Sequence, residues 1–276
     1  MPPTRSDKKK ARGGAAKKKG AGMRFRVLGC AGSIADNRHT SSYLIDDHIL
    51  IDAGTGLGTL SLDAIKAIDH VFLSHSHMDH IAALPMLVDT VLDRRDKPLV
   101  VHALQETLDA LSEHVFNWKV VPDFRTIVAG DHPALEFSAM RPGETRRLNG
   151  GAFTLIPVKH TIPTAAYHVS CPGGSMVVAP DMTVTEGFWT TVNAIADLRH
   201  LVIETAFNNG RIGICRVSGH LCPSMLEEEL RQFARPAQVN LVHLKPSAAE
   251  QIRKEVAALN LGRPVVFLND GDVLEI

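Results

Sequence analysis

Three imidazoles and a carboxylate fall within six consecutive positions, His75-Ser76-His77-Met78-Asp79-His80, and this run constrains the chain more than any other. A single histidine on an apolar face usually packs or sits at the surface. Four donors in a His-x-His-x-Asp-His pattern suit a borderline divalent ion such as Zn²⁺, which favours imidazole nitrogen and carboxylate oxygen. Val71-Phe72-Leu73 just before the run reads as a short buried strand, so the donors are delivered at a strand exit.

Two ions need more donors than one loop supplies, and further candidates stand just beyond other β-rich runs. His160 follows Phe153-Thr154-Leu155-Ile156-Pro157-Val158-Lys159, Asp181 follows Met176-Val177-Val178-Ala179-Pro180, and His243 follows Asn240-Leu241-Val242. The seven residues divide into His75, His77 and His160 for one ion and Asp79, His80 and His243 for the other, with Asp181 bridging. Two divalent ions, preferably Zn²⁺, are therefore the expected cofactors. Held about 3.5–4 Å apart, they bring the pKa of a bridging water toward about 7, so solvent is the nucleophile.

The chain between these donors alternates β-branched runs with amphipathic ones. Strands are predicted at 24–29, 41–46, 48–52, 70–74, 98–102, 134–140, 153–159, 165–170, 175–179, 200–205, 239–244 and 264–268. Helices are predicted at 56–68, 81–94, 104–116, 187–198, 223–234 and 248–260. Ser224-x-x-Glu227 and Ser247-x-x-Glu250 read as capping boxes heading the last two helices, and Pro85 falls in the first turn of 81–94. Strand-rich blocks and helices occur in both halves, which predicts an α/β protein with a layered two-sheet core and helices outside.

This order of motifs resembles the metallo-β-lactamase superfamily, over about Met23 to Ile276. The resemblance implies an αβ/βα four-layer sandwich of two mixed sheets and a binuclear, usually zinc, hydrolytic centre. Leu50-Ile51-Asp52-Ala53-Gly54-Thr55-Gly56 is similar to the superfamily's early Asp-x-Gly turn, in which the carboxylate, here Asp52, supports a metal ligand from behind. Glu204-Thr205-Ala206-Phe207, Ser218-Gly219-His220-Leu221-Cys222-Pro223 and Val242-His243-Leu244-Lys245-Pro246 narrow the resemblance to class II 3′,5′-cyclic-nucleotide phosphodiesterases. Leu28-Gly29-Cys30-Ala31-Gly32-Ser33 and Thr40-Ser41-Ser42-Tyr43-Leu44 add to it. Met78, Ala83 and Pro180 depart from residues usual in that family, and all three leave the metal donors intact.

The implied reaction is hydrolysis of a cyclic nucleotide such as cyclic AMP, with a metal-bridging hydroxide attacking phosphorus. His220 has no metal assigned. It is expected to protonate the leaving oxygen as general acid, oriented by Glu204; Asp79, itself a ligand, completes the catalytic set. A phosphodiesterase acting on RNA or tRNA 3′ ends has the same donors and the same Glu/His pair. The tRNA-processing relatives, however, carry a basic, Gly-rich protruding arm for which no insertion is found. A lactone or thioester hydrolase would leave the Glu204/His220 pair without a task. The alternative outside enzymology is a non-catalytic metal-binding module tethered by a basic tail.

That tail is residues 1–22, which hold eight Lys/Arg against one Asp and leave 22 basic and 29 acidic groups, a net of −7, in 23–276. Lysine runs among Gly and Ala have nothing to bury, so the tail is expected to be disordered, with weak, salt-sensitive contact to nucleic acid as its sharper use. The hydrolase domain is then 23–276. Arg24 and Arg26 interrupt what would be a signal's apolar core, no run of ~20 apolar residues suggests a membrane helix, and four scattered cysteines suit reduced thiols in the cytoplasm. The family resemblance makes a homodimer the expected assembly. His39 and Asn37 in the loop before Thr40, and the rings of Phe207, Trp118 and Trp189, are the remaining candidates for touching a nucleotide.

Overall fold

A computed structural model describes residues 22–276. Apart from Gly22, the basic tail read from the sequence lies outside the described residues. In chain order the strands are β1 (Arg24–Gly29), β2 (Ser42–Ile45), β3 (Ile49–Ala53), β4 (His70–Phe72), β5 (Leu99–Ala103), β6 (Val128–Ala129), β7 (His132–Pro133), β8 (Leu135–Ala139), β9 (Thr145–Leu148), β10 (Gly151–Val158), β11 (Thr164–Cys171), β12 (Gly174–Ala179), β13 (Leu198–Glu204), β14 (Gln238–Val242), β15 (Val265–Phe267) and β16 (Val273–Glu275). The helices are α1 (Leu62–Lys66), α2 (Met78–Ile81), α3 (Leu84–Val91), α4 (Gln105–His114), α5 (Phe188–Asn193), α6 (Ile212–Ser218), α7 (Pro223–Leu230) and α8 (Ala249–Ala257).

One seven-stranded sheet runs β16-β1-β2-β3-β4-β5-β8 and a second runs β15-β14-β13-β12-β11-β10-β9. Each is mixed: β1 to β3 and β9 to β12 pair antiparallel, whereas β3-β4-β5-β8 and β12-β13-β14-β15 are parallel. Their inner faces meet through Phe25, Tyr43, Ile51 and Phe72 on one side and Phe153, Tyr167, Val178 and Val202 on the other. Phe72 stacks on Phe153 with ring centroids 4.6 Å apart, and the Tyr167 hydroxyl donates to Leu73 O at 2.7 Å. Truncating one of these buried rings would cost about 3–5 kcal/mol.

The outer faces are covered as well, by Leu84, Leu87, Val91, Leu108 and Leu111 of α3 and α4 on the first sheet and by Phe188, Val192, Leu226, Leu230, Ile252 and Val256 of α5, α7 and α8 on the second. The four layers are therefore helix, sheet, sheet and helix, as expected from the sequence. Strands covered on both faces need apolar residues at every position, not at alternate ones. β3 and β12 are accordingly buried throughout. Among the described residues no helix is long and apolar enough to cross a membrane.

Several predicted helices are shorter or divided. Residues 56–68 form a 3₁₀ turn at Thr55–Thr59 and then α1, whose cap is Ser61, because Gly54, Gly56 and Gly58 favour tight turns over α-helix. The 81–94 segment begins earlier, as α2, and restarts as α3; Pro85 has no N–H to give Ile81 O and so interrupts the ladder between them. Neither predicted capping box forms. Pro223 and Pro246 fix φ and start the helical turn ahead of each serine. Cys222 and Ala248 thus become the N-cap residues, neither with a side-chain cap, and the Ser224 amide instead donates to Asn209 Oδ1 at 2.8 Å.

Candidate metal centre

Four strand exits and one loop converge at one edge of the two sheets. The loop after β4 carries His75, His77, Asp79 and His80; His160 follows β10, Asp181 follows β12, Glu204 ends β13 and His243 follows β14. β12, β13 and β14 are parallel, and β10, two antiparallel steps from β12, runs the same way, so their ends share one edge and residues up to 168 positions apart in sequence, His75 and His243, meet in one cluster.

The donors fall into two main groups, joined by a third made of Asp181, His220 and His243. In the first, comprising His75, His77, His160 and Asp181, Nδ1 of His77 lies 2.9 Å from His75 Nε2 and 3.2 Å from His160 Nε2. Asp181 Oδ2 is 3.8 Å from the Nε2 atoms of both His75 and His160. In the second, Asp79 Oδ2 is 3.9 Å from His80 Nε2 and 3.8 Å from His243 Nε2. Asp181 Oδ1 closes that group at 3.3 Å from His80 Nε2 and 2.9 Å from His243 Nδ1. One oxygen of Asp181 thus faces each group.

These separations fit divalent ions. Donors placed tetrahedrally about an ion at 2.0–2.1 Å stand about 3.3 Å apart, and the observed spacings bracket that edge. The fit is supported independently by atoms left without partners: His80 Nε2, Asp181 Oδ1 and both ring nitrogens of His243 are buried with no hydrogen bond. The 2.9 Å approach of His243 Nδ1 to Asp181 Oδ1 lacks hydrogen-bond alignment. Each unsatisfied buried polar group costs about 1–3 kcal/mol; a cation here would satisfy His80 Nε2, Asp181 Oδ1 and one of the two His243 nitrogens, which diverge and cannot both bind the same ion.

The opposite nitrogen of three imidazoles is fixed from behind, which aims the free one inward. His75 Nδ1 donates to Ser74 Oγ at 2.9 Å, and His160 Nδ1 donates to Gly219 O at 2.9 Å. His80 Nδ1 lies 2.7 Å from Asp52 Oδ2. Asp52 also accepts from the Ser74 amide at 2.8 Å and the Ser74 hydroxyl at 2.9 Å, and it does so from a left-handed φ of 56°. His243 has a φ of 64°, which for a non-glycine residue costs about 1–3 kcal/mol and concentrates at functional sites.

Electrostatics separate the imidazoles into two kinds. Burial, reinforced by neighbouring histidines, holds His75 well below the usual imidazole pKa, and burial also lowers His77 and His160. All three are therefore neutral, the form in which histidine binds a metal. Burial opposes a charge on His80 too, but the Asp181 and Asp52 carboxylates outweigh it and raise its pKa well above the ordinary value. Asp181 is likewise penalised by burial, yet His243 and His80 hold it well below the carboxylate range.

Glu204 and His220 adjoin this cluster. Glu204 is fully buried; its Oε1 accepts from His220 Nδ1 at 2.8 Å and the Met182 amide at 3.1 Å, and its Oε2 accepts from the Leu221 amide at 3.2 Å. The His220 ring stacks on His243 at 5.2 Å, and its Nδ1 is 4.0 Å from Asp181 Oδ2. Burial acts to lower the pKa of His220, and the Glu204 charge overrides it to give a net rise.

Sequence reasoning missed Ser74, Gly32 and Gly219. A Cβ on Gly32 would lie 2.9 Å from His243 Cδ2, and one on Gly219, whose φ is 68°, would lie 3.0 Å from His160 Nδ1. Neither position has room for a side chain. Three weaker candidates are engaged elsewhere. His39 is paired with Asp270 at 2.9 Å, Trp189 is buried with its Nε1 donating to Glu229, and Trp118 is exposed and belongs to neither donor group.

Asp52 gives the first testable consequence. Asp52→Ala releases His80 and Ser74 together, and an apparent metal affinity about 10–100-fold weaker is expected in a competitive chelator titration. Unchanged affinity would mean that His80 needs no support.

Comparison with known proteins agrees with this fold. The family model described as "Beta-lactamase superfamily domain" matches residues 47–256. A protein of Yersinia pestis named probable 3′,5′-cyclic-nucleotide phosphodiesterase is 22% identical, with 89% of this chain and 87% of that one covered. A ribonuclease Z of Halorubrum lacusprofundi is 33% identical over 34% of this chain and 32% of its own. Unliganded yeast PDE1 superposes with a TM-score of 0.78 at 17% identity, over 93% of this chain and 100% of that one. With its family model spanning most of the chain and its two sheets opening onto a shared histidine and aspartate cluster, the protein belongs to the metallo-β-lactamase branch of the beta-lactamase superfamily.

Proposed function

We propose that the protein is a binuclear metal-dependent phosphodiesterase that hydrolyses 3′,5′-cyclic nucleotides, with His220 as general acid and Glu204 as the residue that orients it. The observation that carries this reading is the position of Asp181, one oxygen toward each donor group, with the His220–Glu204 pair beside it. His75, His77 and His160 would hold one ion, Asp79, His80 and His243 the other, and Asp181 both. Zn²⁺ suits this nitrogen-rich donor set. When bound, the two ions supply Lewis acidity and an activated water for attack on phosphorus.

The chain's own residues supply the rest. Glu204 keeps the proton of His220 on Nδ1 and the ring in a fixed plane, which leaves Nε2–H to be given to the ribose oxygen as its bond to phosphorus breaks. Buried Glu204 also raises the proton affinity of that ring, so a proton is available near neutral pH. Asp52, Ser74 and Gly219 hold ligand rings in place and touch no substrate. Among the described residues the four cysteines are free, which suits a reducing cytoplasm, and the homodimer and a nucleic-acid contact through the basic tail belong to the same reading.

The similarity to ribonuclease Z over a third of the chain favours a second substrate class, the 3′ end of RNA. Parallel turnover on cyclic AMP, cyclic GMP, 2′,3′-cyclic nucleotides and a tRNA precursor separates the two. Preference for either 3′,5′-cyclic nucleotide by at least about tenfold in kcat/KM, some 1.4 kcal/mol, is the expected result. Cleavage of the tRNA precursor alone would replace it with the second reading. Full metal occupancy with no turnover on any of them would favour a non-catalytic metal-binding module.

A further inference from the structure

We propose that the cavity bordered by Lys159, Thr161, Thr183 and Arg216 is a subsite for a second phosphate, carried by the substrate beside the phosphodiester at the metal cluster. This rests on the phosphodiesterase chemistry proposed above and goes beyond its substrate: cyclic AMP and cyclic GMP, with one phosphate each, would leave the subsite empty, and a substrate with two would fill it. The cavity measures about 300 Å³. Four segments wall it: residues 159–161 after β10, 183–184 after β12, 216–219 at the end of α6, and Met225 of α7.

Two observations connect it to the site. His160 is both a wall of this cavity and a member of the first donor group, and Thr161 Oγ1 lies 3.5 Å from His77 Nε2. His160 is thus the residue that the cluster and the cavity share, with Thr161 on the outer side of the His77 ring. The walls are also anchored, since the Thr183 amide donates to Lys159 O at 2.8 Å and the Lys159 amide to Thr185 Oγ1 at 3.0 Å.

Charge identifies the occupant. Arg24, Arg95, Lys97, Arg125 and Lys254 each pair with a carboxylate. Neither Lys159 nor Arg216 has an ion pair among the described residues, and the two share a cavity in a domain whose net charge is −7. Two unpaired cations beside threonine hydroxyls are complementary to a phosphate, for which arginine supplies a planar fork and lysine a point charge. The phosphate undergoing cleavage belongs at the metal cluster, so the one held here is an additional one. It can come from a mononucleotide with two phosphates or from the neighbouring linkage of a short chain.

The test is calorimetric titration of the metal-loaded protein with AMP, adenosine 3′,5′-bisphosphate and the 5′-phosphorylated dinucleotide pApA. At least one probe with two phosphates should bind about tenfold or more tightly than AMP, as expected for added charge-assisted hydrogen bonds. A gap with the bisphosphate alone assigns a mononucleotide source, and a gap with pApA alone assigns a chain. In the Lys159→Ala/Arg216→Ala double variant the gap should close to within about twofold, with Arg216→Glu as a second variant that reverses one charge. Equal binding of all three probes, or a gap that survives both variants, overturns the proposal. Turnover of bis(p-nitrophenyl) phosphate, measured alongside, separates the two readings. A gap without turnover keeps the subsite and removes the phosphodiesterase, whereas turnover without a gap does the reverse.

Discussion

Asp181→Ala is expected to bind at most one divalent ion per chain and to lose about 10³–10⁴-fold in turnover of a phosphodiester, because several kcal/mol of transition-state charge stabilisation depends on both ions. Asp181 is only 1% exposed and is the single residue in reach of both donor groups. No neighbour can substitute for it. Each of His75, His77, His160 and His80 serves one group, so the loss of any one of them leaves the other group whole.

The position is fixed by the fold and does not depend on the ions. β12 is buried along its whole length, Pro180 ends it, and the following amide, that of Met182, is held by Glu204. The variant should therefore fold, and it also sheds a buried negative charge. Elemental analysis of dialysed protein, circular dichroism and initial rates are the three measurements needed. Asp181→Asn serves as the control for shape, since it keeps an acceptor of the same size without the charge, and it should lose activity comparably. Two ions retained in Asp181→Ala with a rate within about tenfold of the parent, roughly 1.4 kcal/mol, would remove Asp181 from the bridging role.

The residues that bring this cluster together were readable in the sequence because metal chemistry restricts donors to a few residue types and strand exits are marked by apolar runs. His160, Asp181 and His243 each stand at the end of such a run, and the structure gathers them with the His75–His80 loop. Supporting contacts carry no comparable mark. Ser74 and Gly219 act through a hydroxyl and a carbonyl that many residues offer, and Gly32 is needed only because His243 lies against it. These depend on tertiary contact, and no local spacing encodes them.

The same distinction governs the fold. Central strands buried on both faces stand out as β-branched runs, whereas β9, Thr-Arg-Arg-Leu, alternates exposed and half-buried positions at a sheet edge, and β16 has three residues with none buried. β9 hides in this way because its two arginines guard the edge against pairing with other chains, and β16 because it is only three residues long. Helix α6 escaped for a related reason, since Cys215 is its only buried residue. The capping boxes failed differently: the serines and glutamates were present, and the prolines beside them decided where the helical turn begins.

His220→Ala should lower turnover by about 10²–10⁴-fold while both ions remain bound. The separation of these two effects is the substance of the prediction. His220 has its Nδ1 committed to Glu204 at 2.8 Å, and the histidines facing the two donor groups are held by other supports, Gly219 for His160 and Asp52 for His80. Metal content should thus follow Asp52 and Asp181, and the rate at constant metal content should follow His220. Glu204→Gln gives a second arm. It keeps an oxygen for the ring but removes the charge that raises the proton affinity of His220, so the loss should fall short of that in His220→Ala.

Leaving-group dependence distinguishes an acid from a prop. A p-nitrophenolate departs with little need of a proton, whereas a ribose alkoxide needs one, so the defect in His220→Ala should shrink by about tenfold or more on a p-nitrophenyl ester relative to cyclic AMP. A prop that merely positions the substrate would lower both rates alike. Equal loss on the two substrates, or loss of an ion from His220→Ala, would assign His220 to structure or to the metals, the latter matching its 4.0 Å approach to Asp181.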